Sequence, residues 1–270
     1  MKKTNPRPIA FVLVSTNHGT MLVNRQDYRL SEDGLSGYGV GFQLLQTSSF
    51  DQPEIDFALH LLQSRKEQHG SGVVAIDCGA NIGVHTVEWA QYMSGWGDVI
   101  AFEAQERVFY ALAGNIIMNN CFNAKAIWAA VGASNGQIGV PVPDYLSPSS
   151  FGSLEIIETK NNEFIGQQIN YKNLQQTQMM SIDEMKLTRV DLIKIDIEGM
   201  EIQALNGAKN TIRTAKPHLI IEKIKSNESE INDFLTNYGY KIFPLGMNIL
   251  GLHESEPLSN QIVIEKNQNI

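Results

Sequence analysis

The sequence predicts an α/β protein, an open and mostly parallel sheet with helices on both faces. Three observations lead there. The run Val73-Val74-Ala75-Ile76 is apolar without alternation, the pattern of a strand buried on both sides, and it ends in Asp77. A turn with glycines at 79 and 83 follows, after which Val84, Val87, Trp89, Ala90 and Met93 recur at helical spacing. Apolar runs and helical patterns then alternate along the chain, as strand–helix–strand crossovers do.

Taken in order, residues 9–15 and 20–24 read as a hairpin across Asn17-His18-Gly19. Residues 31–49 carry Gly34, Gly37, Gly39 and Gly41 around Tyr38 and Phe42, which fits either a loop over a binding site or an irregular surface connection. Pro53 opens a helix, with Asp51 placed to cap it and Ile55, Leu59 and Leu62 on its apolar face. Strands are expected over 73–77, 99–103, 124–131 (closing at Gly132) and 137–142, with helices beginning at 84 and covering 106–120. Periodicity fails over 143–177, where Ser, Asn and Gln dominate. That stretch reads as an insertion that shapes a substrate pocket, or as surface elaboration without a role. Order returns with a strand over 190–196, a turn at 197–199 and a helix over 200–215. A strand over 217–222, a helix over 228–238 and a closing antiparallel pair over 240–245 and 260–265 complete the chain. The expected division is an N-terminal extension, 1–72, before a ligand-binding domain, 73–270.

The bulk properties narrow the function. A chain of 270 residues is ample for one large core. With a net charge of −8 and no Lys/Arg stripe, a nucleic-acid groove is disfavoured. The apolar run 9–14 follows Pro6 and Pro8 and leads into polar residues without a small-residue cleavage site, so a strand is expected rather than a signal peptide. No apolar segment approaches membrane-spanning length, and a cytoplasmic location is the default. Cys78 and Cys121 fall in buried-looking segments and are expected as free thiols.

The chemistry lies at the strand ends. The first turn is Gly79-x-x-x-Gly83, not G-x-G-x-x-G, and Asp77 stands where a pyrophosphate would be repelled. An acid there suits a ligand with an ammonium group and no phosphate, such as S-adenosylmethionine (SAM). Glycines at 79 and 83 let the backbone approach such a ligand closely, although a tight turn without a ligand needs glycine too. Glu103 ends the next strand, where an acid accepts hydrogen bonds from ribose hydroxyls.

A second acidic group is Lys194-x-Asp196-x-Glu198-Gly199-x-Glu201, with Glu222 at the end of the following strand. Asp196, Glu198 and Glu222 are expected to converge on the ligand-binding rim. Three roles stay open for them: taking a proton from an attacking hydroxyl, helping to hold a divalent cation, or orienting an ammonium. Glu201 is expected only to favour a helix start, and Lys194 to pair with an acid. The six histidines show no ligand spacing, so no metal site is assigned.

Asp77-Cys78-Gly79-Ala80-Asn81-Ile82-Gly83, together with Asp191-Leu192-Ile193-Lys194-Ile195-Asp196-Ile197-Glu198-Gly199-Met200-Glu201, resembles the FkbM-type class I SAM-dependent methyltransferases. Ser181-Ile182-Asp183-Glu184, Leu205-x-Gly207-Ala208, Pro217 and Glu222 support the likeness, which spans roughly 73–222. The resemblance implies a Rossmann-like, seven-stranded sheet with six parallel strands and one antiparallel. It also implies methyl transfer from SAM to a hydroxyl oxygen of a sugar or polyketide-like small molecule. By position, Asp77, Gly79, Asn81 and Gly83 would line the methionine part of SAM, Glu103 would hold the ribose, and Asp196 would sit beside the departing methyl. His85 joins the cofactor set, although the family often carries an aromatic residue there. Trp128-Ala129-Ala130-Val131 lacks the usual acid after the third strand, which leaves the adenine contact unassigned. Two other functions compete: a SAM-binding module without catalysis, and an NAD-dependent oxidoreductase, which the missing G-x-G-x-x-G disfavours. The acceptor's identity and the oligomeric state are not legible.

Overall fold

The computed structural model describes residues 8–31 and 37–260. In chain order, β1 (Phe11–Thr16) and β2 (Gly19–Asn24) form the expected hairpin. The short strands β3 (Arg29–Leu30) and β4 (Gly37–Tyr38) pair antiparallel before helices α1 (Val40–Thr47) and α2 (Gln52–His69). The repeated strand–helix units are β5 (Val73–Cys78), α3 (Val84–Tyr92), β6 (Gly97–Glu103), α4 (Glu106–Met118) and β7 (Ala124–Trp128). A separate three-stranded sheet follows, formed by β8 (Ala130–Val131), β9 (Gly136–Pro141) and β10 (Leu174–Met180), with β10 in the middle. The remaining elements are β11 (Leu192–Ile195), α5 (Glu201–Gly207), α6 (Lys209–Ala215), β12 (His218–Glu222), α7 (Glu228–Asn237), β13 (Tyr240–Leu245) and β14 (Asn248–His253).

The main sheet has seven strands in the order β13-β14-β12-β11-β5-β6-β7. Only β14 runs antiparallel to its neighbours, so six strands point one way. Both faces are covered, which is why the central strands lack alternation. On β5, Val73 and Ala75 pack with Val87 and Ala90 of α3, while Ile76 and Cys78 pack with Ala204 and Ile212 on the other side. Full burial of an Ile or Leu contributes roughly 1.5–3 kcal/mol, so runs such as Leu192–Ile195 both form the sheet and fix its register. The chain leaves β5 toward β6 on one side and returns to β11 on the other. This switch point opens a crevice at the carboxyl ends of β5, β6 and β11.

Four expectations needed correction. Residues 40–47, within the glycine-rich stretch, form a helix, because Val40 and Leu44 bury against Met21 and Val23. Gly41 is needed there for closeness, since a Cβ would lie 2.4 Å from the Asn24 carbonyl. The third strand breaks at Ala129: β6 ends at Glu103 and offers β7 no further partner, so Ala130 and Val131 pair with Met179 and Met180 instead. The helix expected over 200–215 is two, because the Asp183 carboxylate accepts from the Asn210 and Thr211 amides and caps α6 separately. Finally, the antiparallel strand is β14; in the expected 260–265 segment Asn260 ends a 3-10 turn, and 261–265 lie outside the described residues. Gly251 interrupts the β14 run and hid it. Cys78 and Cys121 are buried free thiols. Among the described residues no helix is long and apolar enough to cross a membrane.

Candidate active site

The crevice at the switch point is a cavity of about 620 Å3. Of the nine residues the sequence nominated, Asp77, Gly79, Asn81, His85, Glu103, Asp196, Glu198 and Glu222 line it; Gly83 does not. At the end of β5, buried Asp77 accepts a 2.6 Å hydrogen bond from Thr86 Oγ1, which fixes the carboxylate against the start of α3. Gly79 has φ 82° and a Cβ there would lie 1.8 Å from the Asp196 carbonyl oxygen; Gly83 has φ 89° and a Cβ would lie 2.5 Å from Leu112 Cδ1. Both missing side chains therefore make room for neighbouring protein. The glycine pattern is a fold requirement first, and it brings the ends of β5 and β11 together.

Glu103 ends β6 inside the cavity. Its Oε2 accepts from the Asn81 amide at 3.0 Å and its Oε1 from the Gln105 amide at 2.8 Å. Burial nevertheless lifts its pKa to about 7, against the lowering effect of these amides. The carboxyl is held in one orientation, with lone pairs left for further donors. Ala129, Ala130, Val131, Leu154 and Ile156 add an apolar wall beside it, and Gln105 donates to the Phe151 carbonyl.

The second acidic group converges as expected. One carboxylate oxygen from each of Asp196, Glu198 and Glu222 lies within 4.8 Å of the others. Lys194 Nζ sits 2.7 Å from Asp196, and Lys225 Nζ 2.6 Å from Glu198. Burial opposes the Lys194 charge, but Asp196, Glu54 and Asp77 outweigh it and raise its pKa. Burial, then the Asp196 and Glu201 charges, pushes Glu222 up to about 8, and its Oε2 is enclosed without a partner. Burial and the neighbouring Glu222 and Asp196 likewise raise Glu198 well above the ordinary range. Glu201 does more than favour a helix start: it accepts from the amides of Ile197 and Gly199 and so braces the turn that carries Glu198.

Residues that sequence reasoning did not nominate come from the segments before 73 and from the insertion. Tyr38, Asp51 and Glu54 line the cavity, with Ser153 and Leu154 from the insertion. Asp51 precedes α2 but makes no cap hydrogen bond; its Oδ2 lies 3.2 Å from His85 Nε2. Asp27 ties the two segments together, accepting from Gly41 N and Phe151 N, each at 2.9 Å. Lys225 also reaches Glu163, which accepts from Tyr38 and Arg29. No local periodicity announces these contacts, since each joins segments far apart in the chain.

The six-plus-one sheet, with the switch-point crevice at Asn81 and Glu103, is the Rossmann-like fold of the class I methyltransferases. Residues 77–242 match the family described as "Methyltransferase FkbM domain", and the chain belongs to that family, which gives SAM as the cofactor. No curated protein matches the chain. Among solved structures it is similar to an FkbM methyltransferase from Methylobacillus flagellatus KT, at 20% identity and TM-score 0.43, over 68% of this chain and 43% of that one. It thus spans less than half of that protein's length. It is also similar to magnesium protoporphyrin IX methyltransferase (ChlM) from Synechocystis PCC 6803 with bound SAM, at 12% identity and TM-score 0.42, over 80% of this chain and 86% of that one. A third similar structure is Trm5b from Pyrococcus abyssi, at 11% identity and TM-score 0.43, over 92% of this chain and 56% of that one.

The residues present fit that cofactor. Glu103, oriented by two backbone amides, would have lone pairs free for ribose hydroxyls, the apolar wall at 129–131 would suit a ring, and the Asp77 carboxylate would suit an ammonium.

Proposed function

We propose that this protein methylates a hydroxyl oxygen of a sugar or polyketide-like small molecule. The observation that supports this reading is Glu222, whose Oε2 is enclosed without a partner, whose pKa burial raises, and which lines the same cavity as Glu103 and Asn81. Bound SAM supplies a methyl group already made electrophilic by its sulfonium. The protein's part is then to align an acceptor oxygen and to take up its proton. Burial pushes Glu222 up to about 8, so it is largely protonated at pH 7 and takes on the second task increasingly as the pH rises toward 8. Asp196, held by Lys194, orients the acceptor and can share the proton with Glu222. On the cofactor side, Glu103 holds the ribose, Asp77 and Asn81 hold the methionine part, and the Ala129–Val131 wall takes the adenine.

An acceptor panel of sugars and hydroxylated natural products tests the reading. The expected result is S-adenosylhomocysteine formed in step with a product whose new methyl carbon is bonded to oxygen, read by NMR. A methyl on nitrogen or carbon would overturn the hydroxyl assignment. SAM bound but never consumed would favour a non-catalytic module.

A further inference from the structure

A second group of metal-ligating side chains lies on the same cavity and has no part in the chemistry above. His85 begins α3, and Asp51 and Glu54 belong to the start of α2. His85 Nε2 is 3.2 Å from Asp51 Oδ2 and 4.0 Å from Glu54 Oε1, and the three donor atoms lie within 4.8 Å of one another. The His85 side chain is 7% exposed and that of Glu54 10%. Glu54 Oε1 is enclosed with no hydrogen-bond partner, although its other oxygen accepts from Asn248 Nδ2. A buried carboxylate oxygen aimed at an imidazole nitrogen, yet too far to bond to it, lacks the ligand that would satisfy it.

We propose that Asp51, Glu54 and His85 bind one divalent first-row transition-metal ion on the cavity wall formed by α2 and α3. Donors around such an ion at about 2.0–2.2 Å sit roughly 3–3.5 Å from one another. The Asp51–His85 spacing already meets this, and Glu54 Oε1, 4.0 Å from His85 Nε2 and within 4.8 Å of the Asp51 donor, needs a small side-chain shift to join them. One imidazole with two carboxylates suits Mn2+, Fe2+ or Zn2+. The local charge also favours a cation: Asp51, Glu54, Asp77 and Asp196 face the single ammonium of Lys194, which is itself paired with Asp196. The acidic group at Asp196, Glu198 and Glu222 is the weaker place for an ion, because Lys194 and Lys225 already stand 2.7 and 2.6 Å from two of its three members.

Three protein ligands leave coordination positions open toward the cavity, as in catalytic metal sites. An ion here would bind acceptor oxygens and lower the pKa of a hydroxyl, a consequence that rests on the hydroxyl reading above. Binding of the ion does not rest on it.

The test uses the full chain, stripped with chelator and dialysed against micromolar Mn2+ or Zn2+, with metal per chain counted by mass spectrometry. One ion per chain is expected for at least one of the two metals. Glu54→Gln should bind at least tenfold more weakly and Glu222→Gln as tightly as the native chain. If His85→Gln fails to fold, the decision stays with Glu54→Gln, whose circular dichroism should match the native spectrum while its melting point no longer rises on adding metal. Uptake of neither metal overturns the proposal, and so does binding that survives Glu54→Gln but is lost in Glu222→Gln. Oxygen methylation by a chain that takes up no ion would sink the metal site and leave the hydroxyl reading standing. An ion bound at Glu54 without methylation of any hydroxyl would do the reverse.

Discussion

The two ends of the main sheet each bury a group of charges, and they treat them in opposite ways. At the end where β11 and β12 begin, every acid is matched. Asp191 lies 3.1 Å from Arg65 and 2.8 Å from Arg189, and also accepts from the Val74 amide; Glu256 lies 3.1 Å from Arg65. At the end where the strands finish, acids outnumber cations, Glu222 and Glu54 keep enclosed oxygens without partners, and the cavity opens between them. The first arrangement fastens β5, β11 and β12 to α2. The second is costly to the fold, since buried carboxylates without partners oppose folding, and a cation or a proton taken from an acceptor would relieve it.

The contrast can be broken in several ways, the largest effect first. Asp196→Ala should lower turnover by about 100- to 10,000-fold while SAM affinity stays within about threefold, with both measured on one preparation. Unchanged methylation of a known acceptor would remove Asp196 from the chemistry. At the matched end, Asp191→Ala removes the buried carboxylate that Arg65 and Arg189 share, leaving Arg65 with Glu256 alone as a charged partner, and should cost roughly 3–5 kcal/mol in urea denaturation. A loss under about 1 kcal/mol would mean that the network fastens nothing. Glu103→Ala removes the proposed ribose acceptor and should weaken SAM by about 10- to 100-fold in calorimetry. Equal affinity would count against that contact.

The two ends should also titrate with opposite sign. Glu222 has a folded pKa of about 8 against an ordinary 4.5, so its contribution to stability is whole below 4.5 and is lost as pH rises through 8. Glu256 is held at about 2: burial opposes this, but the hydrogen bonds from His218 and Gln68 and the charges of His218 and Arg65 prevail. Its contribution is present above 4.5 and lost as pH falls through 2. Glu222→Gln should therefore flatten the decline in denaturation midpoint between pH 4.5 and 8, and Glu256→Gln the rise between 2 and 4.5. Superimposable profiles for the two variants would erase the distinction.

The sheet was legible because strands buried on both faces must be apolar throughout, so Val73–Cys78 and Leu192–Ile195 stand out in the sequence. The acids that close such runs were legible for the same reason: Asp77, Glu103 and Asp196 break an apolar pattern. What packing decides was harder to see. Helix α1 hid behind Gly39 and Gly41, which serve close contact with Asp27 and Asn24, and β14 hid behind Gly251. Asp51 looked like a helix cap, and only the fold brings it to His85, 34 residues on. The cavity wall from the insertion and the Asp27 tie belong to the same class, since nothing local in the sequence records a partner more than a hundred residues away.

The most direct measurement is a crystal structure with S-adenosylhomocysteine. The expected density places the ribose hydroxyls on Glu103, the adenine against Ala129–Val131 and the sulfur facing Asp196. A nucleoside lying elsewhere, or a crevice that stays empty at saturating ligand, would contradict the assignment of this cavity.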